Sequence, residues 1–184
     1  MLKPSLLVIA AFIAVTATAG KDPAVRNLAL NPGDVHEAGH GYPHASSNSE
    51  TRGEACFWAI NAIDGRTDNR GHGPEFPSWG PEKRTDLWWR VDFGRAVEVE
   101  KVVAFVRADF PHDGCWRAGT LVFSDGSRVR IDIRKTAERQ VYDFAPRNST
   151  FVMLTDLVQD EPLQWCALTE VEVWGRDLDE PSTR

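Results

Sequence analysis

From Arg90 onward the sequence predicts an all-β fold, an antiparallel β-sandwich or jelly roll. Three observations support this prediction. Short runs rich in β-branched and aromatic residues recur along the chain, turn signals separate them, and no convincing amphipathic helix interrupts the series. Many short strands with turns between them are typical of sandwiches and barrels.

The strands can be assigned in order along the chain. In the run WWRVDFG, Trp89, Val91 and Phe93 share one face, and VEKVVAFVR is the nearly continuous apolar run of a fully buried strand. The runs TLVF and RVRIDIR flank the turn SDGS, which predicts an antiparallel hairpin whose second strand is half-buried. The runs QVYDF, TFVMLT and TEVEVWG complete the series.

The region 31–83 has a different character. It is rich in Gly, Pro, Ser, Asn and His, and it shows little periodicity. Long structured loops of this kind are usually functional or stabilised by an ion. Within it, HEAGH (His36–His40) matches the zinc-protease pattern, but that chemistry requires a helix. The glycines and prolines around the motif oppose a helix, so we expect no proteolytic zinc site.

The N-terminus and the charge limit the location and the partners of the chain. A single Lys, a short apolar stretch and an A-x-A end predict a secretory signal over 1–19 and hence a secreted protein. The stretch is too short for a good membrane span, so no membrane insertion is expected. The formal net charge of −6 argues against nucleic acid as a partner. We divide the rest into a linker at 20–26, one domain at 27–175 and a polar tail at 176–184.

Three stretches in a fixed order carry a resemblance to a known family. NAIDG (Asn61–Gly65) is followed by SWG and LWWRVDFGRAVEVEKV, and the domain closes on ALTEVEVWG (Ala167–Gly175). This set resembles the discoidin domain, the coagulation-factor C-type fold. It is most similar to the sugar-binding relatives, the family-32 carbohydrate-binding modules and the fucose lectins. The resemblance covers nearly the whole predicted domain and implies an eight-stranded, galactose-binding-domain-like jelly roll.

The resemblance also implies a structural calcium ion. Calcium takes about six to eight oxygen ligands, which loop carbonyls and a few carboxylates can supply. The ligands that the resemblance implies are the carbonyls of Asn61, Arg66 and Thr169, the carboxylates of Asp64 and Glu170, and an oxygen of Ser78.

Three cysteines permit at most one internal disulfide, and export would favour its formation. Both Cys56–Cys166 and Cys115–Cys166 remain open as pairings. The first pair lies near implied calcium ligands, and the second would join the loop after VVAFV to the last strand.

The segment RADFPHDGCW (Arg107–Trp116) is predicted to be a glycan-recognition loop, because loops on a rigid β scaffold carry binding in such folds. Charged and polar groups would bond sugar hydroxyls, and an aromatic face would pack against the sugar ring. The candidates are Arg107, Asp109, His112 and Asp113 for the first role and Phe110 or Trp116 for the second, with Trp79, His72 and His44 as secondary candidates.

The loop departs from the fucose-lectin pattern, which has R-x-D followed four residues later by Arg or Lys. Arg107 and Asp109 match its opening, but position 113 is Asp and no partner His stands at the expected distance upstream. Fucose specificity is therefore not implied, and another neutral sugar or a cationic glycan fits equally well.

Two other functions are considered beside a non-catalytic carbohydrate-binding module. Asp109 and Asp113 could act as the carboxylate pair of a small glycan-cleaving enzyme. Adhesion to a protein or a lipid, as in discoidin relatives, is the other alternative, although the charged loop disfavours it.

Overall fold

Antiparallel strands make up nearly all of the regular structure. The computed structural model describes residues 24–37, 41–71, 73–108, 113–161 and 163–178. Within them lie three short 3₁₀ helices, η1 (Thr51–Gly53), η2 (Ala55–Phe57) and η3 (Ala59–Ile63). The strands are β1 (Arg26–Asn27), β2 (His44–Ser47), β3 (Trp89–Val106), β4 (Trp116–Phe123), β5 (Arg128–Asp132), β6 (Gln140–Gln159) and β7 (Leu168–Asp177).

The two long strands, β3 and β6, organise the sheet. The strand order is β1-β7-β3-β6-β4-β5, and β2 adds to β3 off this path. The first part of β3, residues 89–92, lies between β2 and β6, whereas residues 97–106 lie between β6 and β7. The register shifts between the two parts, where Gly94 takes a φ of 68° that favours glycine. Such irregularities bend strands and let a sheet close over one core as a β-sandwich.

The predicted side-chain alternation is confirmed. Trp89, Val91 and Phe93 are fully buried, and Arg90 and Asp92 between them are half-buried. In the hairpin, the apolar residues of RVRIDIR point inward and its charged residues are exposed. Polar–apolar alternation therefore assigned the core face of these strands correctly.

The predicted number of strands differs from the number found. The described residues contain seven strands rather than eight, and two pairs of predicted runs are each one continuous strand. WWRVDFG and VEKVVAFVR join through the bulge at Gly94, and QVYDF and TFVMLT join across Pro146. Strand β7 also runs to Asp177, two residues beyond the predicted end of the domain. There Asp177 forms ion pairs with Arg26 and Arg95.

The predicted disulfide is not formed. All three cysteines are free thiols, with Cys115 and Cys166 buried and Cys56 half-buried. Burial raises the pKa of the Cys115 thiol to about 11 and that of Cys166 to about 12. The two buried cysteines therefore behave as small apolar side chains of the core.

The signal sequence predicted at 1–19 lies outside the described residues. Within the described part of the chain, no helix is long and apolar enough to cross a membrane.

Candidate functional site

Segments from both halves of the chain meet at one end of the sandwich. The residues after β3 and those before β4 and β7 come together there, because the neighbouring strands run antiparallel. Backbone hydrogen bonds fix the arrangement: the Arg107 amide donates to the Ala167 carbonyl at 3.0 Å, and the Gly114 amide donates to the Trp165 carbonyl at 2.7 Å. The Thr51 amide of η1 donates to the Gly80 carbonyl at 2.8 Å. These backbone hydrogen bonds therefore hold the described loop segments of this end together.

These segments enclose a cavity of about 280 Å³, which we call the first cavity. Its wall combines apolar groups with a few charged side chains, a composition typical of small-ligand sites. The lining residues are Thr51, Arg52, Phe57, Gly80, Pro81, Arg107, Asp113, Trp165, Cys166 and Ala167.

Two predicted binding residues, Arg107 and Asp113, lie together in the wall of the first cavity. Arg107 is 5% exposed and Asp113 is 6% exposed, and Arg107 Nε lies 3.8 Å from Asp113 Oδ2. Buried charges are tolerated in proteins when they are paired. The pair thus gives the cavity a fixed donor and a fixed acceptor at the base of the loop. The loop residues between them, Asp109, Phe110 and His112, lie outside the described residues, as does His72.

The exposed aromatic ring of the first cavity belongs to Trp165. Its side chain is 40% exposed, and the Lys83 ammonium lies 4.9 Å from the ring centroid. A cation over an aromatic face marks a ring surface that polar ligands can approach. Sequence reasoning missed Trp165, although its place in the polar loop DEPLQWC, just before a strand, is an unusual one for a tryptophan.

The structure corrects the roles of Trp79 and Trp116, which were predicted to face a ligand. Trp79 is 0% exposed and Trp116 is 1% exposed, and their rings stack with centroids 5.7 Å apart. The indole N–H of Trp79 donates to the Ser49 carbonyl at 2.9 Å. Both rings therefore belong to the hydrophobic core and leave no face for a sugar.

Two glycines allow the close approach of the cavity walls. A Cβ at Gly114 would lie 2.5 Å from the Cβ of Gln164, and one at Gly80 would lie 2.6 Å from a ring carbon of Phe57. Contacts this short do not occur between real side chains, so larger residues would push the walls apart. Gly80 thus allows Phe57 to approach it in the wall of the first cavity, and Gly114 allows the same close approach of Gln164 beside the cavity.

The residues predicted to hold a metal ion form a second cluster around Glu170. This side chain is 1% exposed; Oε2 accepts a hydrogen bond from the Gly65 amide at 3.2 Å, and Oε1 has no partner. Burial raises the pKa of Glu170 to about 8, and the nearby Asp64 carboxylate adds to this shift. Burial also raises the pKa of Asp64. Two partly desolvated carboxylates side by side are an unfavourable arrangement unless protons or a cation neutralise them.

The oxygens around this pair suit a hard cation. Ser78 is 0% exposed and its Oγ has no partner. The side-chain amide of Asn61 (Nδ2) donates to the Ser78 carbonyl at 3.4 Å, so Asn61 and Ser78 lie close together. Thr169 is also buried, and its Oγ1 accepts a hydrogen bond from Asn69 at 3.3 Å. Within the described residues no three His, Cys, Asp or Glu side chains gather to hold a metal, so any ion here would need carbonyl and hydroxyl oxygens as well.

One member of the predicted ligand set has a second interaction. The Arg66 amide donates to Asp64 Oδ1 at 2.8 Å, and Arg66 Nε lies 3.8 Å from Asp64 Oδ2. The Arg66 side chain is 61% exposed, and this contact is therefore a weak surface pair that an ion could replace.

Known structures share this fold. A fucolectin from the serum of striped bass (Morone saxatilis) has a TM-score of 0.63 and 21% identity, covering 86% of this chain and 50% of that chain. Chitosan-binding module 1 of a chitosanase/glucanase from Paenibacillus sp. IK-5 has a TM-score of 0.56 and 21% identity, covering 84% of this chain and all of that chain. The family 32 carbohydrate-binding module from C. perfringens NanJ, solved with galactose, has a TM-score of 0.54 and 16% identity, covering 71% of this chain and 91% of that chain.

Neither protein-family profiles nor curated proteins match the sequence. At identities near 20% the structural likeness defines the architecture, and the function has to be argued from the site itself. The chain therefore shares the β-sandwich fold of the fucolectin and of the two carbohydrate-binding modules.

Proposed function

We propose that this chain is a non-catalytic carbohydrate-binding module and that its glycan site is the first cavity. One observation carries the proposal: the exposed Trp165 ring stands beside the buried Arg107–Asp113 pair in a cavity at one end of the sandwich. The ring can pack against the C–H face of a sugar, while Arg107 donates to hydroxyl oxygens and Asp113 accepts from hydroxyl protons. The names of the structural neighbours, which include a fucolectin and two carbohydrate-binding modules, support it.

The Lys83 ammonium occupies the ring face on which the sugar would stack. It covers the face of Trp165 at 4.9 Å in the free protein, so a sugar that stacks there displaces it or shares the ring with it. Lys83 is exposed, and its displacement returns the ammonium to water at little cost.

Screening on a glycan array, followed by titration calorimetry with the best ligand, tests the proposal. Trp165→Ala should weaken binding at least about tenfold, since a stacking contact worth roughly 1.4 kcal/mol corresponds to that factor. Trp174→Ala is the matched control, because Trp174 also carries a lysine ammonium at 4.9 Å but lies on β7. Absence of binding to any glycan by the correctly folded protein, or equal losses in both variants, would contradict the proposal.

The position of Asp113 favours a binding module over an enzyme. Asp113 is buried against Arg107, which suits a residue that holds a ligand hydroxyl in place. The enzymatic alternative needs a second carboxylate, Asp109, at a suitable distance. Reducing-sugar release that disappears in Asp109→Asn would favour that alternative.

We also propose that the cluster around Glu170 holds a structural calcium ion and that the segment 1–19 directs export. The partnerless Glu170 Oε1 and Ser78 Oγ, together with the Asp64 carboxylate, support the calcium site. The bound ion would neutralise the two carboxylates and tie the N-terminal loops to β7. Calcium titration by calorimetry should show one site in the parent and none in Glu170→Gln. N-terminal sequencing of the exported protein should find cleavage after Ala19.

One observation favours a second candidate function, adhesion to a lipid surface. Leu163 is 55% exposed and lies two residues before the exposed Trp165, so the loop before β7 presents two apolar side chains. Sedimentation with liposomes distinguishes this candidate, because a glycan-binding module without lipid affinity stays in the supernatant.

A further inference from the structure

A second cavity, of about 400 Å³, lies beside β2. Its wall is formed by His36, Glu37, residues 44–49, Glu50 and Gly53. The wall thus combines His44, a secondary binding candidate, with His36 and Glu37 of the HEAGH motif.

Two carboxylate-supported imidazoles stand in this wall. His36 Nε2 lies 2.7 Å from Glu50 Oε2, and His44 Nδ1 lies 2.8 Å from Asp34 Oδ1. The carboxylates are themselves fixed, because Glu50 Oε1 accepts from the Ala59 amide at 2.7 Å and Asp34 Oδ2 accepts from the Ala45 amide at 2.9 Å. Each imidazole that donates to its carboxylate has its other ring nitrogen as an acceptor. The cavity thus holds preorganised acceptors.

Within this wall the His36 ring presents a flat surface, and Trp58 stacks behind it without lining the cavity. The His36 ring lies parallel to the Trp58 ring, with centroids 4.0 Å apart and an interplanar angle of 9°. The Trp58 indole N–H donates to the Gly53 carbonyl at 3.1 Å, which holds the pair against η1. Flat, rigid surfaces of this kind suit the C–H face of a sugar ring.

The two cavities share one wall. Thr51 and Arg52 line the first cavity, and their chain neighbours Glu50 and Gly53 line the second. Adjacent Cα atoms are about 3.8 Å apart, so the separating ridge is only one or two residues thick. A ligand longer than one sugar ring can therefore extend across η1 from the first cavity into the second.

The backbone on both sides of the ridge is strained. Arg52 in the first cavity has a φ of 53°, and Glu37 in the second has a φ of 59°, although neither is glycine. Such conformations concentrate at binding and catalytic sites, where the surrounding structure enforces them. Of the four non-glycine residues with such a φ in the described part of the chain, Arg52 lines the first cavity and Glu37 lines the second.

The charge of the second cavity selects the ligand. Glu37 and Glu50 bring two carboxylates to the wall, and Asp34, which bonds His44 from behind the wall, brings a third. The imidazoles of His36 and His44 can add at most two positive charges, so this region keeps a negative formal charge. The nearby Arg52 guanidinium is engaged by Glu54 at 2.6 Å. A negative wall with imidazole acceptors favours an ammonium group, which has three donors and no acceptor. It disfavours an acidic sugar.

We propose that the second cavity is a further sugar subsite and that it takes an amine-bearing residue of the oligosaccharide whose neighbouring unit occupies the first cavity. This inference rests on the proposed function. The exposed Glu37 carboxylate pairs with the amine, and the sugar ring lies against the His36 ring, which Trp58 supports from behind.

Titration calorimetry at about pH 6 with glucosamine and its β-1,4-linked dimer and trimer tests the inference. The trimer should bind the parent at least about tenfold more tightly than the monomer does. The N-acetylated trimer should lose most of this gain, because acetylation removes the positive charge. Glu37→Lys should abolish the gain of the trimer over the monomer, because it replaces the carboxylate that pairs with the amine by a like charge. Asp143→Lys is the matched control, since it reverses an exposed carboxylate on β6 and should behave as the parent does.

A second measurement covers the case in which Glu37→Lys perturbs the fold. In the parent protein, the trimer but not the monomer should shift the NMR amide signals of residues 46–49. Equal affinities for monomer and trimer, an equal gain for the N-acetylated trimer, or no binding of any glucosamine oligomer would overturn the inference. Binding of another sugar that depends on Trp165 would still leave the proposed function standing, whereas no binding of any glycan would remove both.

Discussion

The irregular region 24–88 and the strand region 89–177 stabilise the fold by different means. In the strand region apolar side chains alternate with solvent-facing ones, and the polar groups of the backbone pair in the sheet. In the irregular region polar side chains turn inward and bond the backbone: Asp34 accepts from Ala45, Glu50 accepts from Ala59, and Trp79 donates to Ser49. The strand region therefore supplies the scaffold. The irregular region, held by specific polar contacts, supplies walls of both cavities.

The largest expected effect comes from the place where the two regions join. Trp116→Ala should lower the free energy of unfolding by about 3–5 kcal/mol, because it removes a buried ring that stacks on Trp79 across the boundary. Trp165→Ala should change it by no more than about 0.5 kcal/mol, as expected for a surface residue. Urea denaturation monitored by circular dichroism checks both values. A small loss for Trp116→Ala would mean that its ring is not part of the core.

Calcium should stabilise mainly the irregular region. At a concentration of about 100 times Kd, a ligand of the native state alone adds about 2.7 kcal/mol to the free energy of unfolding. Hydrogen exchange should then slow most at residues 61–66 and 169–170 and least in the β4–β5 hairpin, whose amides gain only the global stabilisation. Glu170→Gln should remove the effect, and Glu172→Gln, two residues along the same strand, should retain it. Uniform protection, or none, would argue against an ion at this place.

Removing one carboxylate from each region should reveal a smaller difference in the free energy of unfolding. Glu50→Ala should cost about 1–3 kcal/mol, since it leaves the amide of Ala59 without its acceptor. Glu98→Ala removes only a partly exposed ion pair with Arg176 and should cost about 0–1 kcal/mol. Thermal or urea unfolding of the two variants measures the difference. Similar costs would show that the polar contacts of the irregular region have no special weight.

The least perturbing test concerns the thiols. The raised pKa values of Cys115 and Cys166 keep both protonated at pH 8, and the thiolate is the reactive form. Iodoacetamide should therefore modify Cys56 alone in the native protein and all three cysteines after unfolding without reductant. If only one thiol reacts in the unfolded protein, a disulfide is present and the three-thiol arrangement is wrong.

Local patterns predicted the strand region well, because each buried strand records its environment in its own residues. The alternation in WWRVDFG identified the buried face of β3, and the D-G turn identified the β4–β5 hairpin. The same patterns did not show that β3 and β6 run on through their irregular points. A bulge at Gly94 and a proline within β6 look like breaks in sequence, whereas the neighbouring strands keep the chain extended there.

The site was predicted in part. Arg107 and Asp113 were identified from the loop that follows a buried strand, and the structure brings both into the first cavity. Trp116 and Trp79 were misplaced because a tryptophan in a polar context can be core or surface, and only packing against other segments decides between them. Trp165 was missed because it is a single residue in the loop before β7, where no alternation of apolar and polar residues indicates which side chains are exposed.

The sequence by itself determined the all-β class, the inward faces of the strands and the stretches that carry the discoidin resemblance, because these depend on neighbouring residues or on fixed spacing. Only the tertiary structure decided which tryptophan is exposed, that the thiols of Cys115 and Cys166 are buried and unjoined, and that η1 separates two cavities. Those properties arise where residues far apart in the chain meet. Side-chain exposure, the pairing of thiols and the boundaries of cavities therefore depend on how several segments pack together, and no local sequence pattern records that packing.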